Sequence, residues 1–297
     1  MYLYRFSMKK LPFGLTPDTE LFCPLPTYQE AINVLHFALN SGEGLIKVVG
    51  EVGIGKTMLC RLLINRLLTD RKIAYIPYPK LSARELKFAL GKELGLRITN
   101  NCREDQLTQK IQNKLIELNR THGPVVLVID EAQQLTSEGI ETLRLFTNLE
   151  TEQHKLLQIV LFGQPELDEL LKLPELRQIK QRIVFSYCLK PLNVQQTRQY
   201  VNNRLNHVGN NKTQYSWLAN QLVFHYSKGV PRLINILCHK ALLLGFGQNK
   251  QSISAVNLLR AAKDTESVNT LIQNNLSLVL ALLALMISGS SMAFWGF

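Results

Sequence analysis

The chain has 297 residues, 46% of them hydrophobic, enough for one large or two modest domains with a real core. Its formal net charge is +11 and its pI is near 9.5, which points to a nucleic-acid partner or an anionic membrane surface; the basic residues are scattered, with no block of five or more, and lend the nucleic-acid reading little. Cys23, Cys60, Cys102, Cys188 and Cys238 lie far apart with no CxxC or Cys/His spacing and read as reduced cytosolic thiols; the six histidines form no HExxH and read as ordinary surface or core residues.

Met1 to Leu11 carries Arg5, Lys9 and Lys10, and Pro12, Gly14 and Pro17 follow where a long apolar stretch would be needed, so no cleavable signal peptide is expected. Residues 1–27 are rich in Pro and turn residues. Thr27 is expected to cap a helix from Tyr28 to about Asn40, whose Ala31, Ile32, Leu35 and Leu39 recur at helical spacing; Gly42 and Gly44 end it. The apolar run Leu45-Ile46-Lys47-Val48-Val49 reads as a strand. Gly50-Glu51-Val52-Gly53-Ile54-Gly55-Lys56-Thr57 follows, and then a helical pattern from Met58 to about Leu68.

Strand, glycine loop and helix in that order are the context of a phosphate-binding P-loop. Gly50, Gly53 and Gly55 let backbone N–H groups turn inward around an anion, and the helix start adds its positive dipole end. Lys56 is expected to reach the β- and γ-phosphates of ATP, and the Thr57 hydroxyl to hold Mg²⁺.

A second strand is expected at Ile73–Pro77, a helix from Ser82 to Gly95, and another from about Glu104 to Thr121, ending at Gly123-Pro124. Val125-Val126-Leu127-Val128-Ile129 is five apolar residues, four of them β-branched, and reads as a buried parallel strand. Asp130 and Glu131 stand at its carboxyl end, where α/β sheets place their ligands. Asp130 is expected in the Mg²⁺ shell and Glu131 to orient and polarise the attacking water. A helix follows from Ser137.

The fourth strand, Leu156–Phe162, runs into Gly163-Gln164-Pro165. Where such a strand is inserted between the P-loop strand and the acidic strand its tip faces the γ-phosphate, which makes Gln164 a candidate sensor. A basic helix, Leu176–Ile183, leads into a fifth strand, Ile183–Leu189. Strands alternating with helices give an α/β fold: a five-stranded parallel sheet with helices on both faces. Beyond Lys190 only helices are suggested, at about Val194–His207, Ser216–Ser227, Pro231–Gly245 and Ser254–Asp264, forming an all-helical lid.

The 31 residues after Glu266 contain no charged side chain. Leu276–Phe297, at ~1.5 Å per residue, covers the ~30 Å hydrocarbon core of a bilayer. Arg260 and Lys263 lie before it and nothing charged after, so a single membrane pass is expected with the globular part in the cytoplasm. The expected domains are an N-terminal segment and helix (1–44), a P-loop core (45–190), the lid (191–266) and the membrane tail (267–297).

Together these features look like an AAA+ ATPase. Phe13-Gly14-Leu15-Thr16-Pro17-Asp18, the P-loop, Ile129-Asp130-Glu131-Ala132-Gln133, Gly163-Gln164-Pro165-Glu166-Leu167 and Gly229-Val230-Pro231-Arg232-Leu233-Ile234-Asn235 resemble the general secretion pathway protein A (ExeA) family over about residues 12–265. The resemblance implies a homo-oligomeric ATPase of the bacterial inner membrane that supports assembly of an MSHA-like type IV pilus or a type II secretion machine. It makes Arg182 the first candidate for an arginine finger acting on a neighbour's ATP, with Arg177 second, and Arg232 a lid residue that reads the phosphates of its own chain. Two alternatives stay open: a DNA-binding AAA+ regulator of transposition or replication, kept alive by the charge, and a nucleotide-gated scaffold, for which Glu131 would have no use.

Overall fold

The structure, a computed structural model, describes residues 2–99, 101–150, 155–209, 215–248, 252–266 and 268. It forms two compact units: Pro17–Lys190, and Met1–Thr16 together with the chain from Pro191 onward.

The first unit holds the expected sheet. Its strands are β1 (Leu45–Val49), β2 (Ile73–Ile76), β3 (Val125–Ile129), β4 (Leu157–Gly163) and β5 (Phe185–Cys188), in the order β2-β3-β4-β1-β5, and every neighbouring pair is parallel. β4 therefore stands between the P-loop strand and the acidic strand. Its register pairs Gly163 with Val49 and Leu161 with Ile129, so β1 and β4 end at one level and β3 ends two residues earlier.

Every residue of β3 and β4 is buried, which is why these stretches are apolar throughout with no alternation. One face packs Leu127, Ile129, Ile159 and Leu161 on helices Ala83–Glu93, Glu104–His122 and Ser137–Phe146. Helices Pro26–Asn40 and Lys56–Leu67 pack against β5 and β4 and against each other. The predicted start at Ser82 is found: Ser82 and Glu85 close a reciprocal capping box that satisfies two orphan N–H groups.

Two expected boundaries move. The helix assigned to a Thr27 cap begins at Pro26, with Leu25 as N-cap. Proline at the first helical position has no N–H to leave unsatisfied, and the Tyr28 N–H, which a side-chain cap could take, donates to the Leu25 carbonyl at 3.0 Å. The basic helix before β5 is a 3₁₀ turn at Pro174–Leu176 and one α-turn at Arg177–Lys180. Arg182 N–H and Ile183 N–H still donate to Ile179 and Lys180 carbonyls, so the chain is turning where a strand was expected, and pairing with β1 starts only at Phe185.

The second unit is helical: Val194–His207, Trp217–Ser227, Pro231–Gly247 and Ala255–Lys263, with a short helix at Tyr2–Arg5. The first sixteen residues belong to its core. Tyr2, Phe6, Met8 and Phe13 are buried, the Tyr2 hydroxyl bonds His239 Nδ1 at 2.9 Å, and Lys9 N–H donates to the Val208 carbonyl at 3.0 Å. Among the described residues no helix is long and apolar enough to cross a membrane; the expected membrane segment, Leu276–Phe297, lies outside them.

Gly229 fixes the entry to the Pro231–Gly247 helix. Its φ is +77°, and a Cβ there would lie 1.9 Å from the Leu192 carbonyl oxygen. The left-handed backbone and the clash, at about 1–2 and 1–3 kcal/mol, should make Gly229→Ala lose roughly 2–5 kcal/mol. The measurement is the urea midpoint of the helical unit's unfolding; an unchanged midpoint would refute the constraint.

Candidate nucleotide site

The P-loop leaves β1 at Gly50, whose N–H donates to the Gly163 carbonyl of β4 at 3.2 Å. A side chain at Gly50 would press within 3.1 Å of the Ile54 methyl and the Leu189 carbonyl oxygen, so close packing demands glycine here. Gly55 has φ +104° and is the N-cap of the Lys56–Leu67 helix, a conformation L-residues rarely adopt. Beside it the Tyr28 hydroxyl donates to the Ile54 carbonyl at 2.7 Å and ties the loop to the first helix. Gly53, at φ +77°, completes the loop.

Lys56 is 6% exposed; its ammonium donates to the carbonyls of Gly50 at 2.7 Å and Glu51 at 3.0 Å, lying across the loop. Burial lowers its pKa, and the nearby charges of Glu131 and Asp130 pull it back up. The Thr57 hydroxyl donates to Asp130 Oδ2 at 2.7 Å. Asp130, 3% exposed, accepts the Glu131 N–H on its other oxygen at 2.9 Å. Burial raises its pKa, opposed by those two hydrogen bonds.

Glu131 sits in the left-handed region, φ 52° and ψ 38°. For a residue with a Cβ this costs on the order of 1–3 kcal/mol. The turn lifts the Glu131 carboxylate out of the strand, where it accepts from Gln133 Nε2 at 2.6 Å and Gln164 Nε2 at 3.0 Å. Gln164 N–H donates in turn to Gln133 Oε1 at 3.0 Å. The carboxylate is thus gripped by two side-chain amides, of which that of Gln133 is itself held by the Gln164 backbone.

The P-loop, Lys56, Thr57, Asp130, Glu131 and Gln164 accordingly meet at the carboxyl ends of β1, β3 and β4, the level at which open α/β sheets take ligands. Arg182 is half-buried, and its guanidinium donates to Thr147 Oγ1 at 2.8 Å. Arg177 is exposed on its one-turn helix. Arg232 is the second residue of the Pro231–Gly247 helix in the other unit and is exposed. Two residues of the site had no assigned role in the sequence reading: Tyr28, which looked like an ordinary first-turn residue, and Gln133, whose place two positions after Glu131 was its sole signal.

The strand order and the P-loop define a P-loop AAA fold, and residues 39–171 match the AAA domain family. The chain is 36% identical over 268 residues to General secretion pathway protein A of Aeromonas hydrophila, covering 90% of this chain and 49% of that protein. It thus spans about half the length of that curated relative. It belongs to the general secretion pathway protein A (ExeA) family of AAA+ ATPases. Among solved structures it resembles the Aeropyrum pernix ORC2 protein in its ADPNP–ADP complexes, with TM-score 0.62, 15% identity, and coverage of 80% of this chain and 67% of that one. It also resembles the Aeropyrum pernix ORC1 protein in complex with DNA, with TM-score 0.63, 17% identity, and coverage of 86% and 69%. At these identities the likeness speaks for the fold alone.

Proposed function

We propose that the chain is a Mg²⁺-dependent ATPase, held by its C-terminal tail in a bacterial inner membrane, that supports assembly of a type IV pilus or a type II secretion machine. The observation that carries the enzymatic part is the joined pair of contacts Thr57–Asp130 and Glu131–Gln164, which brings a P-loop hydroxyl, a buried carboxylate and a second, oriented carboxylate to one place. The identity to General secretion pathway protein A supports the setting, and the finer likeness to the MSHA pilus biogenesis ATPase MshM rests on the motifs quoted above.

The residues fit ATP and Mg²⁺. The hydroxyl of Thr57 and the carboxylate of Asp130 are hard oxygen donors. Among the described residues no group of three His, Cys, Asp or Glu could hold a metal. Two protein oxygens with the rest supplied by water and phosphate is the usual Mg²⁺ arrangement. Thr57 and Asp130 would hold the ion, and when bound it would supply positive charge against that of the phosphates.

The chain's own residues divide the work. Gly50, Gly53 and Gly55 open the loop's backbone to the phosphates, and Lys56 exchanges its loop carbonyls for phosphate oxygens, which relieves the cost of its burial. Glu131 accepts the proton of the attacking water. Gln133 and Gln164 hold that carboxylate in place, and Gln164, at the tip of β4, is placed to sense the γ-phosphate. Arg182 serves a neighbouring subunit's site, with Arg177 as second choice, and Arg232 reads the phosphates of its own chain. A homo-oligomer follows from the trans role of Arg182.

The anchor is tested by fractionation. The full chain is expected in the membrane fraction, released by detergent. Leu283→Arg should cost about 2.5–3.5 kcal/mol of insertion and release part of it. A chain that stays soluble without detergent sinks the anchor, and the DNA-binding AAA+ reading, which the net charge keeps open, takes its place.

A further inference from the structure

The positive charge of this chain is not shared between its two units. Residues 17–190 contain 22 Lys and Arg against 21 Asp and Glu, whereas the rest of the chain contains 12 against 2. Between Pro191 and Lys263 there is no acidic residue at all. The helical unit thus carries +10 of the +11, and of its two carboxylates Asp264 is already paired with Lys240 at 2.7 Å. A surface so poor in carboxylates keeps a positive potential.

The same unit exposes large apolar side chains: Trp217 is 69% exposed, Leu218 51%, Val256 54% and Leu259 38%. They arise from neighbouring helix starts. Tyr215 and Ile253 form a parallel bridge, Ser216 N–H donates to the Ile253 carbonyl at 3.1 Å, and Ser216 and Ser254 cap helices Trp217–Ser227 and Ala255–Lys263, which pack together. Exposed Lys228, Arg260 and Lys263 stand at the far ends of these two helices. Leu276, where the apolar tail begins, comes only 13 residues after Lys263.

We propose that this edge of the helical unit lies on the anionic lipid surface. Trp217, Leu218, Val256 and Leu259 enter the headgroup boundary, and Lys228, Arg260 and Lys263 pair with lipid phosphates. The inference rests on the membrane-anchor reading above. A tryptophan ring settles at the headgroup level, and apolar side chains among cations are the pattern of interfacial binding. Nucleic acid fits less well: phosphate contacts use the cations, and base contacts use stacking rings or hydrogen-bonding groups, which leaves Leu218, Val256 and Leu259 without a use.

The chain has two tryptophans, so Trp295→Phe makes Trp217 the sole reporter in the full-length protein. It is placed in vesicles of phosphatidylglycerol and phosphatidylcholine, or of phosphatidylcholine alone, each carrying acyl-brominated lipid. The expected result is a blue-shifted Trp217 emission quenched by bromine in the anionic vesicles, weaker in the neutral ones and weakened by salt. Arg260→Gln and Lys263→Gln should each lower the docked-to-undocked ratio about fivefold at low salt, with the chain still floating with the vesicles and its thermal unfolding unchanged. Trp217 that stays unquenched while the chain floats with anionic vesicles overturns the proposal and leaves the anchor standing. A chain that does not float with vesicles overturns both. A short DNA duplex that shifts Trp217 emission through Arg260 and Lys263, where anionic vesicles do not, assigns the edge to nucleic acid and overturns the proposal.

Discussion

Glu131→Gln is expected to bind ATP as the parent chain does and to hydrolyse it about 10²–10⁴-fold more slowly. The substitution keeps the side chain's size and leaves the loop, Lys56 and the Thr57–Asp130 contact untouched, so the groups proposed to hold nucleotide and Mg²⁺ remain. One thing changes: an amide cannot take a proton from water. Gln133 and Gln164 both donate to Oε2 of Glu131, and the amide oxygen of the variant can accept both bonds in its place, so the grip survives. Binding by a fluorescent ATP analogue and phosphate release measured side by side separate binding from turnover. A Glu131→Gln chain that turns over at the parent rate removes Glu131 from the proposed chemistry.

Arg182→Ala should lower turnover by about 10³–10⁵-fold if the guanidinium stabilises charge on a neighbour's transferring phosphoryl group. The residue bonds Thr147 Oγ1 within its own chain, so loss of activity alone could come from local disorder. Two further readouts separate these. Thr147→Ala removes the intrachain bond and should leave most of the activity. Mixing Arg182→Ala with Lys56→Ala chains should restore part of the turnover, because some shared sites combine an intact Lys56 from one chain with an intact Arg182 from the other. In a mixture shown to co-assemble, no recovery at any ratio means that Arg182 works in its own chain or not at all. Turnover per chain should also rise with protein concentration, as expected of a site completed by a partner.

The sheet was readable because buried parallel strands leave continuous β-branched runs; Val125–Ile129 and Leu45–Val49 are found at the expected bounds. The edge strand β5 was the least legible. Its residues alternate between half-buried and exposed, and Ile183, which looked like its start, packs against the core while the chain is still turning. Lys56, Thr57, Asp130 and Glu131 were legible because their chemistry requires a fixed order along the chain. Tyr28 acts through a hydrogen bond fixed by tertiary approach, and Gln133 through a local bond to Glu131 and a distant one from Gln164 N–H, which leave no periodic trace.

The first sixteen residues show the same limit. Proline and glycine mark them as turns, yet their aromatic side chains fill a core formed with helices more than two hundred residues later. Charge was misread in another way. A search for runs of like charge finds none, whereas counting by structural unit separates a balanced core from a helical unit almost free of acids.

The position of β4 bears on how such a site could be timed. The strand is hydrogen-bonded on both sides, to β1 and to β3, and its end is tied to the P-loop through Gly50 N–H. Sliding it would break two ladders, so β4 resists shear between the strand ends that lead into the P-loop, Asp130 and Gln164. Under the proposed roles, two things can change while this frame stays still: the rotamer of Gln164 or Glu131, on the fast timescale of rotamer exchange, and the arrival of a neighbour's Arg182.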